Sequence, residues 1–188
     1  MPPSAFKIAL IGSHGVGKTT LCFGLAARLK ARDIALDLVH EVARRCPLPI
    51  NEETGVASES WILHTQIAEE LVAQTRCPVV LCDRSALDNY TYLLLAAGTQ
   101  PGLETLVDFW MRTYNLLVHV PILEEPRDDG FRATDPAYQR AVEERLELEL
   151  KARGCTAHRL CADRRSGWLD EVEALVMDRL APPQLSLI

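Results

Sequence analysis

The chain has 188 residues, of which 48% are hydrophobic and 24% charged, and its formal net charge is −6. A chain of this length and composition is expected to form a single domain over residues 1–188. The acidic net charge argues against a general nucleic-acid binder. The first twenty residues lack the pattern of a signal peptide, and no run approaches the roughly 20 apolar residues that span a bilayer. We therefore expect a soluble cytoplasmic protein with no membrane partner.

The N-terminal stretch predicts a strand, a glycine-rich loop and a helix. Residues 6–11 are apolar almost throughout, as in a parallel strand that is buried on both faces. Residues 12–19 then fit the P-loop pattern G-x-x-x-x-G-K-[ST] at every fixed position. Residues 18–31 carry leucines four positions apart, which is a helical spacing. The residues predicted to bind nucleotide phosphates are Gly12, Ser13, His14, Gly15, Val16, Gly17, Lys18, Thr19 and Thr20.

The chemistry of a P-loop follows from its backbone and from two side chains. Glycines let successive N–H groups approach phosphate oxygens, and the positive end of the following helix adds to their attraction. Lys18 can reach the β- and γ-phosphates as a point charge, and the Thr19 hydroxyl can bind Mg²⁺. The expected cofactors are ATP and Mg²⁺.

The remaining chain alternates strands with helices. Further strands are predicted over residues 35–40, 77–83, 114–120 and 156–161, and further helices over 58–75, 86–97, 102–112, 136–153 and 167–180. The prolines at positions 47 and 49 predict an ordered loop over residues 44–50. This alternation predicts a three-layer α/β/α fold of the P-loop NTPase class, with a five-stranded parallel sheet and its ligand at the carboxyl ends of the strands.

Two carboxylates follow predicted strands. An apolar strand ends at Asp83, as a Walker B strand does, and this would bring Asp83 to the Mg²⁺ beside Thr19. Glu41 follows the second strand, where it could face the γ-phosphate from the acceptor side. Either carboxylate could orient or accept the proton of an acceptor hydroxyl. Glu41 could equally be an ordinary loop carboxylate, and Asp83 could merely end its strand.

Arginines are the second group of candidate site residues. Arg84 follows the metal carboxylate and could hold a substrate hydroxyl or phosphate, or else pair with a neighbouring carboxylate. Arg127 and Arg132 lie in a polar, glycine-bearing segment that we interpret as the tip of a lid covering about residues 121–153. The alternative is a solvated charged loop. Arg164 follows the fifth strand and could stack on adenine.

In this order, these elements resemble the P-loop kinases of nucleosides and nucleotides, above all small ATPase/kinase domains similar to the ribosylnicotinamide kinase domain. Residues 83–85, Asp-Arg-Ser, resemble the Glu-Arg-Ser of deoxynucleoside kinases, with aspartate in place of glutamate. The resemblance implies that Asp83 serves the metal and that Arg84 serves the acceptor.

The same resemblance suggests where the acceptor binds. Trp61 and Gln66 repeat the spacing of a Trp-x-x-x-x-Gln motif on the base-binding helix of those kinases. By that resemblance Gln66 would bind a nucleobase or amide and Trp61 would form a wall, although Trp61 could also be a core residue. Arg44 and Arg45 depart from a nucleoside site and could bind an acceptor phosphate.

The sequence thus predicts a Mg²⁺-dependent kinase that transfers the γ-phosphoryl group of ATP to a small acceptor, a nucleoside or a nucleotide. Two alternatives stay open. One is a regulatory ATPase or nucleotide switch that needs no small-molecule acceptor. The other is a polynucleotide 5′-kinase, against which the acidic net charge argues. A homodimer is compatible with the sequence.

Overall fold

The computed structural model describes residues 5–50, 54–126 and 134–180. The strands are β1 (Phe6–Ile11), β2 (Leu36–Val39), β3 (Val79–Asp83), β4 (Leu116–His119) and β5 (His158–Arg159). The helices are α1 (Lys18–Ala31), α2 (Val56–Arg76), α3 (Ala86–Ala97), α4 (Pro101–Met111), α5 (Pro136–Ala152) and α6 (Trp168–Leu180). Short 3₁₀ helices lie at Val42–Arg45 and Ala162–Gly167.

The five strands form one parallel sheet in the order β2-β3-β1-β4-β5. β1 is central, and its residues 7–11 are all buried, as expected for a strand with helices on both faces. The sheet confirms the predicted α/β fold with five parallel strands. Its order places β3 directly beside β1, with Asp83 opposite Leu10, so that the carboxylate lies next to the start of the P-loop.

The side chains of β1 divide the core between the two faces of the sheet. Ala9 and Ile11 point into a cluster with residues from α2, α3, α4 and α5. Ile8 and Leu10 point into the opposite cluster, which α1 and α6 cover. The alternation follows from the period of two in a strand.

Several predicted boundaries require correction. α2 begins at Val56, two residues before the predicted start at Ser58. The Ser58 hydroxyl accepts a hydrogen bond from the Gly55 N–H across the first turn, at 3.0 Å. A 3₁₀ helix occupies Val42–Arg45 and ends before Pro47, which lacks the N–H needed to extend it. β5 is shorter than predicted because only its two residues pair with β4 at the edge of the sheet.

The predicted lid is only partly described. Residues 127–133, with Arg127 and Arg132, lie outside the described residues, and their role stays a prediction. The helix after them begins as predicted, with Asp135 capping the Ala137 N–H at 2.8 Å and Pro136 in the first turn. Among the described residues, no helix is long and apolar enough to cross a membrane. The single-domain organisation also stays a prediction.

The P-loop can approach β4 closely only because Gly12 lacks a side chain. Gly12 has φ +136°, and a Cβ built there would lie 2.5 Å from the Val120 carbonyl oxygen. We expect Gly12→Ala to reduce the free energy of unfolding by about 2–4 kcal/mol, because strain and a backbone clash add. Urea denaturation measures this loss.

Gly98→Ala is the matched control for this prediction. Gly98 also has a positive φ, +71°, but beyond its two chain neighbours no heavy atom of the described residues lies within 4 Å of a Cβ built there. The control should lose only the backbone term, about 1–2 kcal/mol. Equal losses in the two variants would contradict the proposed close approach of Gly12 and Val120.

Candidate active site

A cavity of about 290 Å³ opens at the carboxyl ends of β1 and β3. It is lined by Gly15, Val16, Gly17, Lys18, Thr19, Thr20, Glu41, Asp83, Leu123, Glu124, Glu125 and Arg165. The second half of the predicted P-loop therefore lines the cavity, together with both strand-end carboxylates. The first half, residues 12–14, packs against α3 and α5 instead.

The cavity has the features of a phosphate-binding site. Gly15 and Gly17 both have positive φ, +77° and +95°, which lets the backbone curl around the cavity. α1 begins at Lys18, so its positive end points at the same place. The Thr19 hydroxyl donates a 2.6 Å hydrogen bond to Asp83 Oδ2. Because hydroxyl and carboxylate oxygens suit Mg²⁺, the pair fits the predicted metal site.

Lys18 is buried and bonded to its own loop. Its ammonium donates to the Gly12 carbonyl at 2.8 Å and also to the Ser13 carbonyl. Burial, and secondarily the charge of Arg84, lowers the pKa of Lys18 to about 8. The electrostatic environment therefore disfavours the charged ammonium, and a phosphate anion in the cavity would reverse that balance.

Asp88 ties the P-loop to the start of α3. One carboxylate oxygen accepts from the Gly12 N–H at 2.9 Å. The other accepts from the Ser85 N–H at 2.8 Å and from the Ser85 hydroxyl at 2.6 Å. The sequence analysis missed Asp88, although Ser85-x-x-Asp88 is a capping-box pattern that could have revealed it.

Glu41 is buried between two arginines. Its Oε1 accepts from Arg84 Nε at 2.9 Å and pairs with Arg84 Nη2 at 2.8 Å. Its Oε2 accepts from Arg44 Nε at 3.0 Å. Glu41 is therefore not an ordinary loop carboxylate, since it faces the cavity while both its oxygens are held by guanidinium groups. The sequence also allowed Arg84 to pair with a neighbouring carboxylate. The structure shows such a pair, with Glu41 as the partner.

Arg84 is held in an unfavourable backbone conformation. Its φ of +98° lies where side chains other than glycine are rare, and it is only 5% exposed. The guanidinium carbon lies 5.1 Å from the centroid of the Tyr92 ring. Burial acts to lower the pKa of Arg84, but contacts with Tyr92 and Glu41 outweigh it and raise that pKa well above its ordinary value. The group stays charged beside the cavity.

Three rings meet near Arg84. His14 lies between Tyr92 on α3 and Tyr138 on α5, with centroid distances of 6.2 Å and 5.8 Å. The His14 Nδ1 atom is 3.1 Å from the Tyr92 hydroxyl. Burial raises the pKa of Tyr138 to about 12. The side chain of His14 is thus directed toward α3 and α5, and the sequence analysis gave no role to either tyrosine.

Helix α5 also holds the first half of the P-loop. Gln139 Nε2 donates to the His14 carbonyl at 2.9 Å, and Glu143 Oε2 accepts from the Ser13 N–H at 3.1 Å. The other oxygen of Glu143 lies 2.5 Å from His119 Nε2. Burial acts to raise the pKa of Glu143, but the contact with His119 outweighs it and lowers that pKa. No motif predicts these contacts, because they join distant parts of the chain.

Gln66 is engaged inside the protein. It is fully buried, and its Nε2 donates to Glu70 at 2.9 Å and to the Arg84 carbonyl at 3.3 Å. Both N–H donors are therefore used, and only its Oε1 atom lacks a hydrogen-bond partner among the described residues. Gln66 could therefore contact the substrate that receives the phosphoryl group only through Oε1, by accepting a hydrogen bond from it. Trp61, one turn earlier, is half-buried.

Two predicted arginines lie away from their expected positions. Arg45 pairs with Glu69 on α2, at 2.5 Å, rather than lining the cavity. In the loop after β5, Arg165 lines the cavity and pairs with Glu124 at 2.9 Å, whereas Arg164 does not belong to the described lining. The prediction that Arg164 stacks on adenine stays a prediction.

Comparison with known proteins identifies the family of the chain. A family model described as an AAA domain matches residues 7–165. The chain belongs to this family of P-loop NTPases. No curated protein matches it.

A solved structure described as NadR protein in complex with NR has the same fold. The TM-score is 0.67 at 20% sequence identity, and the match covers 97% of this chain and 54% of that one. The chain thus spans about half the length of the NadR chain. The likeness establishes a shared P-loop nucleotide-binding fold.

The lowered pKa of Lys18 predicts a dependence of stability on pH. Between pH 8 and 10.5 the unfolded chain binds more protons at this lysine than the folded chain does. The free energy of unfolding should therefore rise with pH in this window, by on the order of 3 kcal/mol from this residue. The measurement is the stability of the wild type minus that of Lys18→Met, by urea denaturation between about pH 7 and pH 10.

Lys30→Met, which removes an exposed lysine from the same helix, controls for the loss of a positive charge. A wild-type minus Lys18→Met difference that stayed flat, or fell with rising pH, would contradict the burial of a charged Lys18.

Proposed function

We propose that the protein is a Mg²⁺-dependent kinase that transfers the γ-phosphoryl group of ATP to a hydroxyl of a nucleoside or nucleotide. The buried Glu41–Arg84 pair beside the phosphate cavity carries this proposal. The pair can orient and deprotonate an attacking hydroxyl and stabilise the transferring phosphoryl group. A hydrolysing ATPase would use such a pair on water, so dependence on an acceptor separates the two functions. The cytoplasm, where ATP and Mg²⁺ are plentiful, would suit this reaction.

The donor half of the site rests on the P-loop. The backbone amides lining the cavity, the positive end of α1 and Lys18 would hold the β- and γ-phosphates of ATP. The Thr19 hydroxyl and Asp83 would hold Mg²⁺ through the oxygens that now share a hydrogen bond. When bound, the ion supplies positive charge to the phosphate oxygens.

The acceptor half rests on Glu41. Asp83 is committed to Thr19 and the metal, which leaves Glu41 to orient the acceptor hydroxyl and to take its proton. Arg84 fixes the Glu41 carboxylate and supplies a charge that can stabilise the transferring phosphoryl group. Under this proposal Asp83 serves the metal and Glu41 serves the acceptor, whereas the sequence left both roles open to either carboxylate.

Tyr92 and Tyr138, which are only partly buried, offer an aromatic surface near Arg84 on which the planar base of an acceptor could stack. Arg44 and Arg45 are each engaged by a glutamate, which favours a nucleoside over a nucleotide with its own phosphate. NR, the ligand of the NadR structure, is therefore the first acceptor to test.

Acceptor dependence is the decisive test of this proposal. With ATP and Mg²⁺, we expect ADP release to rise at least about tenfold when a suitable nucleoside from a panel that includes NR is added. Lys18→Ala should lose nearly all of this turnover. ADP release that no nucleoside or nucleotide changes would favour the switch ATPase, which the AAA-domain match also permits.

Separate variants distinguish the two carboxylates. Glu41→Gln should lower kcat by about 10²–10⁴-fold, because it removes the proton acceptor and the negative charge that faces Arg84. The affinity for Mg·ATP should stay near that of the wild type, because the residues proposed to hold Mg·ATP are unchanged. Asp83→Asn should instead weaken Mg²⁺ binding and raise the Mg²⁺ concentration needed for half-maximal rate. Isothermal titration with a non-hydrolysable ATP analogue, with and without Mg²⁺, separates these effects. The proposed division is wrong if the two variants show the same profile.

A further inference from the structure

Glu70 of α2 is fully buried and accepts four hydrogen bonds from other side chains. Its Oε2 receives Lys7 Nζ at 2.8 Å and Trp110 Nε1 at 2.7 Å. Its Oε1 receives the Tyr114 hydroxyl at 2.6 Å and Gln66 Nε2 at 2.9 Å. A buried carboxylate without such partners would be very costly, so these donors fix its position.

The two donors on Oε1 continue to the segment that carries Arg84. Gln66 donates its second N–H to the Arg84 carbonyl, at 3.3 Å. The Tyr114 hydroxyl accepts from the Ala86 N–H at 2.9 Å. Glu70 is therefore linked, through two side chains, to backbone groups on both sides of Ser85. Among the hydrogen bonds of the described residues, none joins Lys7 or Trp110, the donors to the other oxygen, to this segment.

This segment needs external support. A non-glycine residue at φ +98° is strained, and such a conformation persists only where its surroundings determine it. The Arg84 N–H donates to the Leu10 carbonyl at 3.2 Å, which supports one side of the residue. On the other side, Gln66 holds the Arg84 carbonyl and Tyr114 holds the Ala86 N–H, and both of these side chains are bonded to Glu70. The backbone angle in turn directs the guanidinium onto Glu41.

We propose that Glu70 is a positioning residue for the acceptor site, acting through Gln66 and Tyr114 on the strained backbone of Arg84. It touches neither ATP nor the acceptor. Its effect is to keep the Arg84 guanidinium hydrogen-bonded to Glu41, where Glu41 can take the acceptor proton and Arg84 can stabilise the transferring phosphoryl group. This inference rests on the proposed roles of Arg84 and Glu41.

The two oxygens of Glu70 provide a matched comparison. Tyr114→Phe and Trp110→Phe each remove one donor to the same carboxylate, but only Tyr114 relays to the Arg84 segment. Gln66→Met tests the other relay with a side chain of similar length. If Glu70 only stabilises the core, all three variants should behave alike once their stabilities are taken into account.

The first readout does not depend on activity. The Arg84 Nε–H resonance, assigned by its absence in Arg84→Lys, reports the bond to Glu41. We expect its exchange with water to accelerate by at least about tenfold in Tyr114→Phe and Gln66→Met, because a freed guanidinium loses its protection, and to stay at the wild-type rate in Trp110→Phe. Equal acceleration in all three, or none in either relay variant, overturns the proposal.

The second readout is kinetic. With any nucleoside that the wild type phosphorylates, the two relay variants should lose about 10–100-fold in kcat/KM for the acceptor, with Mg·ATP affinity unchanged. Trp110→Phe should remain within about threefold of the wild type.

If no acceptor is phosphorylated, the proposed kinase activity fails, but the Arg84 resonance still decides the positioning role. If Tyr114→Phe does not fold, Gln66→Met carries the same comparison.

Discussion

The pairing of β1 with β3 is the constraint on which the site depends. With Asp83 opposite Leu10, the last residue of β3 lies beside the entry to the P-loop and can bond to Thr19 at the start of α1. A shift by one residue would turn Asp83 to the other face of the sheet. Both faces of β1 are packed by helices, which makes such a shift costly. The core therefore sets the geometry of the candidate metal site.

Because the site is built from buried charges, each needs a partner inside the protein. Lys18, Glu41, Arg84 and Asp88 are all less than 9% exposed, and each makes at least one hydrogen bond at 2.9 Å or less. The loss of a single partner would leave a buried charge uncompensated, which costs several kcal/mol. The same bonds that stabilise the fold thus fix the groups that would act on a substrate.

The sequence predicted what local patterns can encode. Residues 12–19 and the strand ending at Asp83 specify the P-loop and the carboxylate beside it, because glycine spacing and strand periodicity are local signals. The contact of Gln66 with Arg84 could not be predicted in this way. Glu70 lies one turn away on the same helix, which is a local spacing, but Arg84 follows β3, and only packing brings its carbonyl to Gln66. Glu143 was missed for the same reason.

The P-loop is divided between groups that hold it and groups that face the cavity. The amides of Gly12 and Ser13 donate to Asp88 and Glu143, and the carbonyls of the same two residues accept from Lys18. The first half of the loop is thus tied to α3 and α5, whereas residues 15–20 line the cavity. A loop fixed at one end loses little further freedom when a phosphate binds at the other. A preorganised set of N–H groups can then stabilise charge without first rearranging.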